Sequence, residues 1–580
     1  MLRFYRKDDF SHDLTAGLVV GFITIPQAIA YAFLAGLPPQ AGLYACLVPM
    51  LLYAIFGSSR QLVVGPVAVA ALMVAATVSE HARPFSDDYL GITAILCLQS
   101  GIFLWLLRLT KMGGVVNLLS HPVISGFVNA AALLIIVSQL TAFTGLSHLV
   151  SENPFMDLKS VYLQRLDWNF VALGLGLFSL VFLWLFSNYA QVLLRWIKPD
   201  VSANHPLTKL GPLAVAVLAT LSVIVFGLDS RWELATVGFV PSGLPNIVIP
   251  PLDLSLWLSL AAPSATIALV SYVESYSIGT TLATREKTRL NPHQELIALG
   301  AANISAAFTG GYPVAGSFSR SSVNYSAGGK TPVSSLICGV VIVIALLWLT
   351  PLFTYLPHAA LAAIIIVSVL GLVDISSLRK QLKFYRHDAY VHVVTFLGVV
   401  FVSVESGLLL GVLLSIGFFV RRSSRPHIAI VGRIGSSHHF RSTKRHKVET
   451  FDPIAAIRID ENLYFANANQ IENRLAKIVS QKTGLKHLLM VFSSISFIDT
   501  TGLEMLMRVS QSLESRNIKL HLSEVKGPVM DQLENSEFLS ALTGNLYFST
   551  DQAMRELQKE IDPYRVKQQE INLEFHKESS

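Results

Sequence analysis

The feature that most restricts this chain is its series of apolar segments. Twelve stretches read as membrane-spanning helices: residues 14–34, 42–56, 89–107, 122–143, 170–186, 212–226, 256–282, 296–308, 333–349, 359–373, 390–404 and 408–420. A spanning helix needs about 20 mostly apolar residues, and no single soluble core accommodates so many such runs. Two further segments, 66–78 and 317–327, are too short to cross. Counting them as half-spans gives about fourteen segments, seven in each half of the first 421 residues. Only 14% of the 580 residues are charged, against about 25% in soluble chains.

Loop charge fixes the expected topology. With the N-terminus inside, the cytoplasmic side receives nineteen Lys and Arg residues, from Arg3 to Arg422, and the outer side only Arg83, Lys159, Arg165 and Arg231. This is the positive-inside pattern. An even number of spans then leaves both termini in the cytoplasm. The first residues, MLRFYRKDDFSHD, lack the apolar core of a signal peptide and read as a retained cytoplasmic segment. The net charge of +6 is spread over short loops, which suggests topology signals and no nucleic-acid partner. Cys46, Cys97 and Cys338 lie in apolar runs without metal-ligand spacing, so they read as small buried hydrophobes, and no metal or cofactor is expected.

The two short segments occupy matching third places in the two halves, and each reaches only about 20 Å against a bilayer core of about 30 Å. Paired short segments entered through Gly and Pro point to a transporter made of two inverted repeats, about 1–205 and 206–421. The second is preceded by GGYPVAGSFSRSS. Gly310, Gly311 and Pro313 stop a helix before it starts, and Ser317 and Ser319 are good N-cap types. The first begins at Gly65-Pro66, where proline suits a first helical turn. Two half-helices meeting at their N-termini present free N–H groups and positive dipole ends to an anion. Arg320 adds a full charge at membrane depth, where charge is costly and marks function. Glu274, in ALVSYVESYSIG, is the second intramembrane charge. It is either a structural partner for Arg320 or a proton-coupling group. Gln27 and Tyr31, one turn apart in the first span, offer an amide and a phenol to an anion, or else pack between helices.

After Val420 the chain changes character. Residues 422–447 read as a basic linker, a solvated strap near anionic headgroups rather than a histidine metal site. Residues 448–560 alternate strands (IAAIRID, HLLMVFSSISFID, IKLHLSEV) with amphipathic helices, implying a small α/β domain, and 561–580 read as a tail. One helix stripe is Ile471, Leu475 and Ile478, the other Leu503, Leu506, Met507 and Leu513. In FIDTTGLEML, Thr501 and Glu504 have capping-box spacing, and phosphate on Thr501 would place a dianion at a helix start, a candidate switch. No phosphate-binding loop, nucleophile elbow or metal-ligand array occurs, so an enzyme or ATP-driven pump is not expected, and a gradient must drive any uphill movement.

These residues resemble the sulfate permease (SulP) family, also called solute carrier family 26. The matching runs are TIPQAIAYAFLAGLPPQAGLYACLVPMLLYAIFGSSRQLVVGPVAVAALM, HPVISGFVNAAALLII and GGYPVAGSFSRSSVNYSAGGKTPV, and the C-terminal hundred-odd residues look like a STAS domain. The resemblance implies a seven-plus-seven inverted-repeat membrane domain with core and gate parts, elevator-like movement and a homodimer. It implies anions such as sulfate, bicarbonate, chloride or dicarboxylates as substrates. By position it puts the anion site on Gln27, Tyr31, the half-helix start near Val67, and Ser319 with Arg320, and the family's acidic residue on Glu274. The residue phosphorylated in sigma-factor antagonists falls on Thr501. It hints at acyl carrier protein or lipid-metabolism partners for the STAS domain. Sodium-coupled relatives place hydroxyls where this chain has Ile278 and Phe318, so proton coupling or exchange is expected. The expectation is an anion symporter or exchanger in the plasma membrane, a bacterial inner membrane. The alternatives are a nucleobase permease of the same fold, an anion channel, or a membrane-anchored regulator acting through its STAS domain.

Overall fold

In the computed structural model, residues 7–112, 120–146, 168–195, 206–435 and 437–562 are described. The expected cytoplasmic cations Arg3, Arg6 and Lys198, the outer Lys159 and Arg165, the first repeat boundary at 205 and most of the 561–580 tail lie outside them. The chain divides into two compact units, Met1–Ser415 and Ile416–Ser580.

The first unit is helical, and the last of its helices runs on past Ser415 to Ser423. Its elements are α1 (Lys7–Leu34), α2 (Pro39–Tyr44), α3 (Val48–Phe56), β1 (Val64–Gly65), α4 (Ala68–Val78), α5 (Asp87–Leu109), α6 (His121–Thr144), α7 (Phe170–Arg195), α8 (Gly211–Phe226), α9 (Ala261–Arg285), α10 (Pro292–Phe308), β2 (Ala315–Gly316), α11 (Phe318–Ser326), α12 (Val333–Ile344, continued through a π-turn to Phe353), α13 (His358–Leu370), α14 (Ile375–Phe384), α15 (Arg386–Phe401) and α16 (Val404–Ser423). Among the described residues eight helices are long and apolar enough to cross a membrane, and α4 and α8 are shorter apolar helices. The expected single span at 42–56 is two helices, because Ala45–Leu47 form a turn and Pro49 restarts the helix. Likewise the span expected at 256–282 is a short helix, Leu254–Ser259, followed by α9.

Helices α1–α5 pack with α9–α12, and α6–α8 with α13 and α15, against which α16 packs at Gly407 and Gly411. Within the first group polar side chains staple the elements. Asp13 is fully buried and accepts from the Lys330 and Thr331 N–H groups at 2.8 and 3.1 Å and from the Thr331 hydroxyl. Glu295 is fully buried too, taking the Tyr53 hydroxyl at 2.7 Å and the Ser58 N–H and hydroxyl at 2.8 and 2.6 Å. These donors offset the cost of burying each carboxylate.

The second unit holds a six-stranded sheet. Its strands are β3 (Ile428–Arg433), β4 (Phe440–Ser442), β5 (Ile454–Ile459), β6 (His487–Val491), β7 (Lys519–Ser523) and β8 (Leu546–Tyr547), in the order β4-β3-β5-β6-β7-β8. β5 to β8 are parallel and β3 is antiparallel to both its neighbours. Parallel neighbours need crossovers, supplied by α17 (Ala468–Gln481) and α18 (Thr500–Glu514). With α19 (Gly527–Glu534) they bury one sheet face, and α20 (Thr550–Ile561) covers the other with Ala553, Met554 and Leu557. The α17 stripe is Ile471, Leu475 and Ile478, as expected. In α18 the buried stripe is Met505, Leu506, Val509 and Leu513, while Leu503 and Met507 are only half-buried. β3 and β4 fall inside 422–447, so part of the expected linker is sheet. Its Ile428 and Ile430 alternate with Ala429 and Val431, and all four pair with β5, a signal outweighed in the sequence by the surrounding charge.

Candidate functional site

The two short segments meet. β1 and β2 pair antiparallel, with Val64 opposite Gly316 and Gly65 opposite Ala315. Each strand leads within three residues into a half-helix, α4 or α11. Because the strands run in opposite directions, the helices leave the crossing in opposite directions with their N-termini together. Val67, Ala70 and Ala315 pack there in one small apolar cluster. At 11 and 9 residues the helices are only about 16 and 14 Å long, so neither crosses the bilayer. Pro66 is not in the first turn: α4 starts at Ala68 with extended Val67 as its N-cap. Val67 has no side chain able to cap, so the first N–H groups of α4 have no side-chain acceptor. Ser317 caps α11, its hydroxyl accepting from the Arg320 N–H at 3.5 Å. Ser319 lies inside the helix on its exposed side, so it is no cap.

Neighbouring side chains fix the crossing. The Gly316 N–H donates to Ser275 Oγ of α9 at 2.7 Å, and the Val63 N–H to Ser321 Oγ at 2.9 Å. Asn324 Nδ2 donates to the Gln61 carbonyl at 3.0 Å. Asn303 of α10 both accepts from the Val314 N–H at 3.0 Å and donates to its carbonyl at 3.1 Å. All four are polar residues inside or beside apolar runs. That was the available sequence signal, though it does not say which backbone group each one reaches.

Arg320 is fully buried. Its Nη2 donates to the Pro66 carbonyl at 2.5 Å, its Nη1 lies 3.9 Å from Cys46 Sγ, and its Nε has no partner. A Cβ on Gly65 would come within 2.9 Å of Nη1, so glycine there makes room for the guanidinium. Among the described residues Arg320 makes no ion pair. An ion pair with Glu274, one of the two roles considered for that residue, is therefore not formed.

Glu274 instead lines a cavity of about 210 Å³ between the two helical groups. Val69 from the first turn of α4 and Phe318 from the start of α11 form part of its wall, with Ile278 and Phe127. Apart from Glu274 and Ser277 the lining is apolar. Ile278 and Phe318, the two positions expected to lack hydroxyls, thus both border the acid. Gln27 and Tyr31 are buried on α1, which packs along α11, and Tyr31 is within electrostatic range of both Arg320 and Glu274. Cys46, Cys97 and Cys338 are free and buried. No cluster of His, Cys, Asp or Glu able to hold a metal occurs among the described residues.

Thr501 sits apart, in the second unit. The α18 N-cap is Asp499, whose Oδ1 accepts from the Gly502 N–H at 2.8 Å while Oδ2 accepts from the Phe465 N–H at 2.8 Å. Thr501 is the second helical residue and Glu504 points to Arg508, 4.0 Å away, so the expected capping box does not form. The carboxylate two residues earlier is the stronger acceptor and takes the cap.

Family models match twice: the sulfate permease family over residues 10–395 and the STAS domain over 445–553. "Probable sulfate transporter 4.2" of Arabidopsis thaliana is 34% identical over 94% of this chain and 81% of its own length. "Sulfate transporter 4.1, chloroplastic" from the same plant is 35% identical over 90% and 76%. The murine solute carrier 26 family member A9 anion transporter, solved in an inward-facing state, superposes with a TM-score of 0.87 at 24% identity, covering 96% of this chain and 92% of its own. That likeness establishes the fold: a polytopic helical membrane domain followed by an α/β STAS domain.

Proposed function

This chain belongs to the sulfate permease family of anion transporters, and from that premise we propose that it is a secondary transporter for a sulfate-class oxyanion, bound where α4 and α11 converge. The observation that carries the reading is Arg320: a buried guanidinium with a free Nε and, among the described residues, no carboxylate partner, at the junction of two half-helix N-termini. An unpaired charge in such surroundings is costly, and a dianion arriving from the adjoining cavity supplies the missing counter-charge. The first-turn N–H groups of α4 and the Ser317 cap region of α11 complete the acceptor-poor, donor-rich surface that an oxyanion requires. Gln27 and Tyr31 border the site from α1. Sulfate is favoured over bicarbonate or a dicarboxylate because the curated relatives are titled sulfate transporters.

Coupling is assigned to Glu274. It lies on the cavity wall, close enough to feel Arg320 but not bonded to it. Its apolar surroundings at Ile278 and Phe318 offer no oxygen ligands to sodium, whereas a carboxylate in such a wall exchanges a proton readily. Alternating access follows if the group holding both half-helices slides against the group formed by α6–α8, α13 and α15–α16, because the cavity lies on the seam between them. The loop charges support cytoplasmic termini, and the homodimer and cytoplasmic STAS partners remain part of this reading. The comparisons carry a multi-pass membrane protein but favour no bacterial inner membrane, the curated relatives being plant proteins.

The test is uptake of labelled sulfate, bicarbonate and fumarate into liposomes, with and without an inward proton gradient and with sodium present or replaced. Sulfate accumulation that collapses with the gradient, and gradient-independent exchange in Glu274→Gln, support the reading. A strict sodium requirement, or accumulation by Glu274→Gln equal to the parent, overturns the coupling assignment. Transport surviving Arg320→Ala overturns the site.

A further inference from the structure

Between α13 and α15 the chain breaks at Gly371–Val373 and forms the separate helix α14, closed off by the extended residue Tyr385. A helix on an aqueous surface turns its apolar side inward and its polar side outward. In α14 the order is reversed. The side against the protein is polar: Ser377 is buried, Gln381 Nε2 donates to Ser377 Oγ at 3.1 Å, and Gln381 Oε1 lies 3.1 Å from His392 Nδ1 of α15. Asn129 of α6 holds the helix start, accepting from the Asp374 N–H at 2.8 Å. The apolar residues are the exposed ones: Ile375 is 60% exposed, Leu382 53% and Phe384 94%. Ile375 and Leu382 are seven residues apart and share one stripe. Beside it Arg379, Lys380 and Lys383 form a second exposed stripe, continued by Arg386. Among the described residues none of these four cations joins an ion pair. Asp374, the acid at the helix start, is occupied as the N-cap, accepting from the Ser377 N–H at 3.0 Å.

We propose that α14 is an interfacial helix that holds anionic lipid headgroups, with Ile375 and Leu382 entering the acyl boundary and Arg379, Lys380, Lys383 and Arg386 taking the headgroup charge. The spans read at 359–373 and 390–404 flank α14, so it lies where the bilayer meets water, on the cytoplasmic side by the loop charges. An exposed apolar stripe at that level meets acyl chains. Long basic side chains lay their stems along such a boundary and carry their charge out to the headgroups. Each is then drawn to an anionic surface. A merely solvated charged face needs no apolar stripe, and a merely lipid-facing helix needs no cations; α14 has both, side by side. Because Asn129 and Gln381 tie α14 to α6 and α15, the lipid contact anchors that helical group to the leaflet.

The test places the full chain in nanodiscs of phosphatidylcholine and phosphatidylglycerol, with a nitroxide on Leu382→Cys or on Lys380→Cys. Cys46, Cys97 and Cys338 are buried, so the label goes to the introduced thiol. Power saturation with oxygen and with a water-soluble nickel chelate reads immersion. The label at position 382 should respond more to oxygen and the label at position 380 more to nickel. Headgroup charge is tested by native mass spectrometry on the triple variant Arg379→Gln, Lys380→Gln and Lys383→Gln, whose three side chains are exposed. The control triple, Lys482→Gln, Lys486→Gln and Arg516→Gln, removes the same charge from the STAS unit. Phosphatidylglycerol retained on the protein should fall about threefold or more in the α14 variant and stay at the parent level in the control. Nickel access at both labels would put the helix in water. Shielding of position 382 from both reagents would mean that protein, the STAS unit or a second copy, covers it. Either result, or equal retention in the two triple variants, overturns the proposal.

Discussion

Gly65→Ala is the sharpest probe of the transport site, because it adds one methyl group and no charge. Gly65 lies in β1 with ordinary extended geometry, so alanine meets no backbone strain there. The obstacle is Arg320. The new Cβ would sit 2.9 Å from Nη1 and 3.4 Å from Cζ and Nη2, so Nη1 is about 0.5 Å inside the 3.4 Å at which ordinary contact begins. A guanidinium in water would swing aside at little cost. This one is fully buried and tied to the Pro66 carbonyl at 2.5 Å, so the shift comes out of that bond or out of the β1–β2 pairing. A misplacement of about 1 Å at a binding group costs roughly a hundredfold in rate, and half that displacement about tenfold. Liposome uptake under a proton gradient should therefore show kcat/KM for sulfate lowered about tenfold, with thermal stability within about 1 kcal/mol of the parent. The companion Gly339→Ala has nothing within 4 Å of its added Cβ and should transport normally. Unchanged uptake by Gly65→Ala would mean that the guanidinium's position does not matter, and the argument built on it would fail.

Asn303→Ala removes the pair of hydrogen bonds that holds Val314, leaving a buried N–H unpaired, and should lower the unfolding free energy by about 1–3 kcal/mol in a detergent melt. Asp499→Ala should destabilise the STAS unit by about 1 kcal/mol, and Thr501→Ala by much less, when local unfolding of the full chain is followed by hydrogen exchange. The buried pair His487–His521 sets a pH dependence. The Asn545 N–H donates to His521 Nδ1 at 3.0 Å, so His521 Nε2 carries the proton it donates to His487 Nδ1, also at 3.0 Å, and both rings are neutral. Burial first, then the adjacent His487, lowers His521 to about 4, and burial lowers His487. The unfolded histidine, titrating near 6.5, takes protons before the folded one. Stability is therefore full above about pH 6.5 and falls as pH drops toward about 4. His521→Asn, which keeps an acceptor for Asn545, should flatten that fall in melts of the full chain.

Apolar run length and loop charge made the membrane segments readable, because each span must satisfy its own backbone inside lipid. The half-helices were readable for the same reason: they are the runs too short to obey that rule. Their crossing was less so. The pairing of Val64 with Gly316 joins residues some 250 positions apart, and nothing local in either stretch names its partner. The staples Asp13, Glu295 and Asn303 were hidden for a related reason. A single polar residue in an apolar run signals that something is buried, but its acceptor or donor is fixed only by tertiary packing. In the STAS unit, β3 was masked by charge. Its flanking Arg and Lys residues face solvent, while Ala429 and Val431 pack against α20, and the alternation spans too few residues to outweigh the composition around it. Thr501 was misread because Thr-x-x-Glu and Asp-x-x-Gly overlap there, and both fit a helix start until the backbone angle of Asp499 decides between them.

Arg320 and Glu274 together decide how the site is understood. In a structural ion pair each charge satisfies the other, substrate binding brings a third charge into a neutral setting, and selectivity for anions has no evident source. Here the two are separate. Arg320 is satisfied by one backbone carbonyl and otherwise left open, and Glu274 faces an apolar cavity reached by the mouths of both half-helices. Separation would give each group its own task in the proposed mechanism. A bound dianion would supply Arg320 with a counter-charge, which favours occupancy. An ionised Glu274 on the cavity wall would repel that same dianion, by an amount that grows as water is excluded. On the proposed reading, taking up a proton at Glu274 would remove the repulsion, so that anion and proton would enter the same closed state together and each would raise the affinity for the other. Such a coupling would need no contact between the two residues, only the shared cavity.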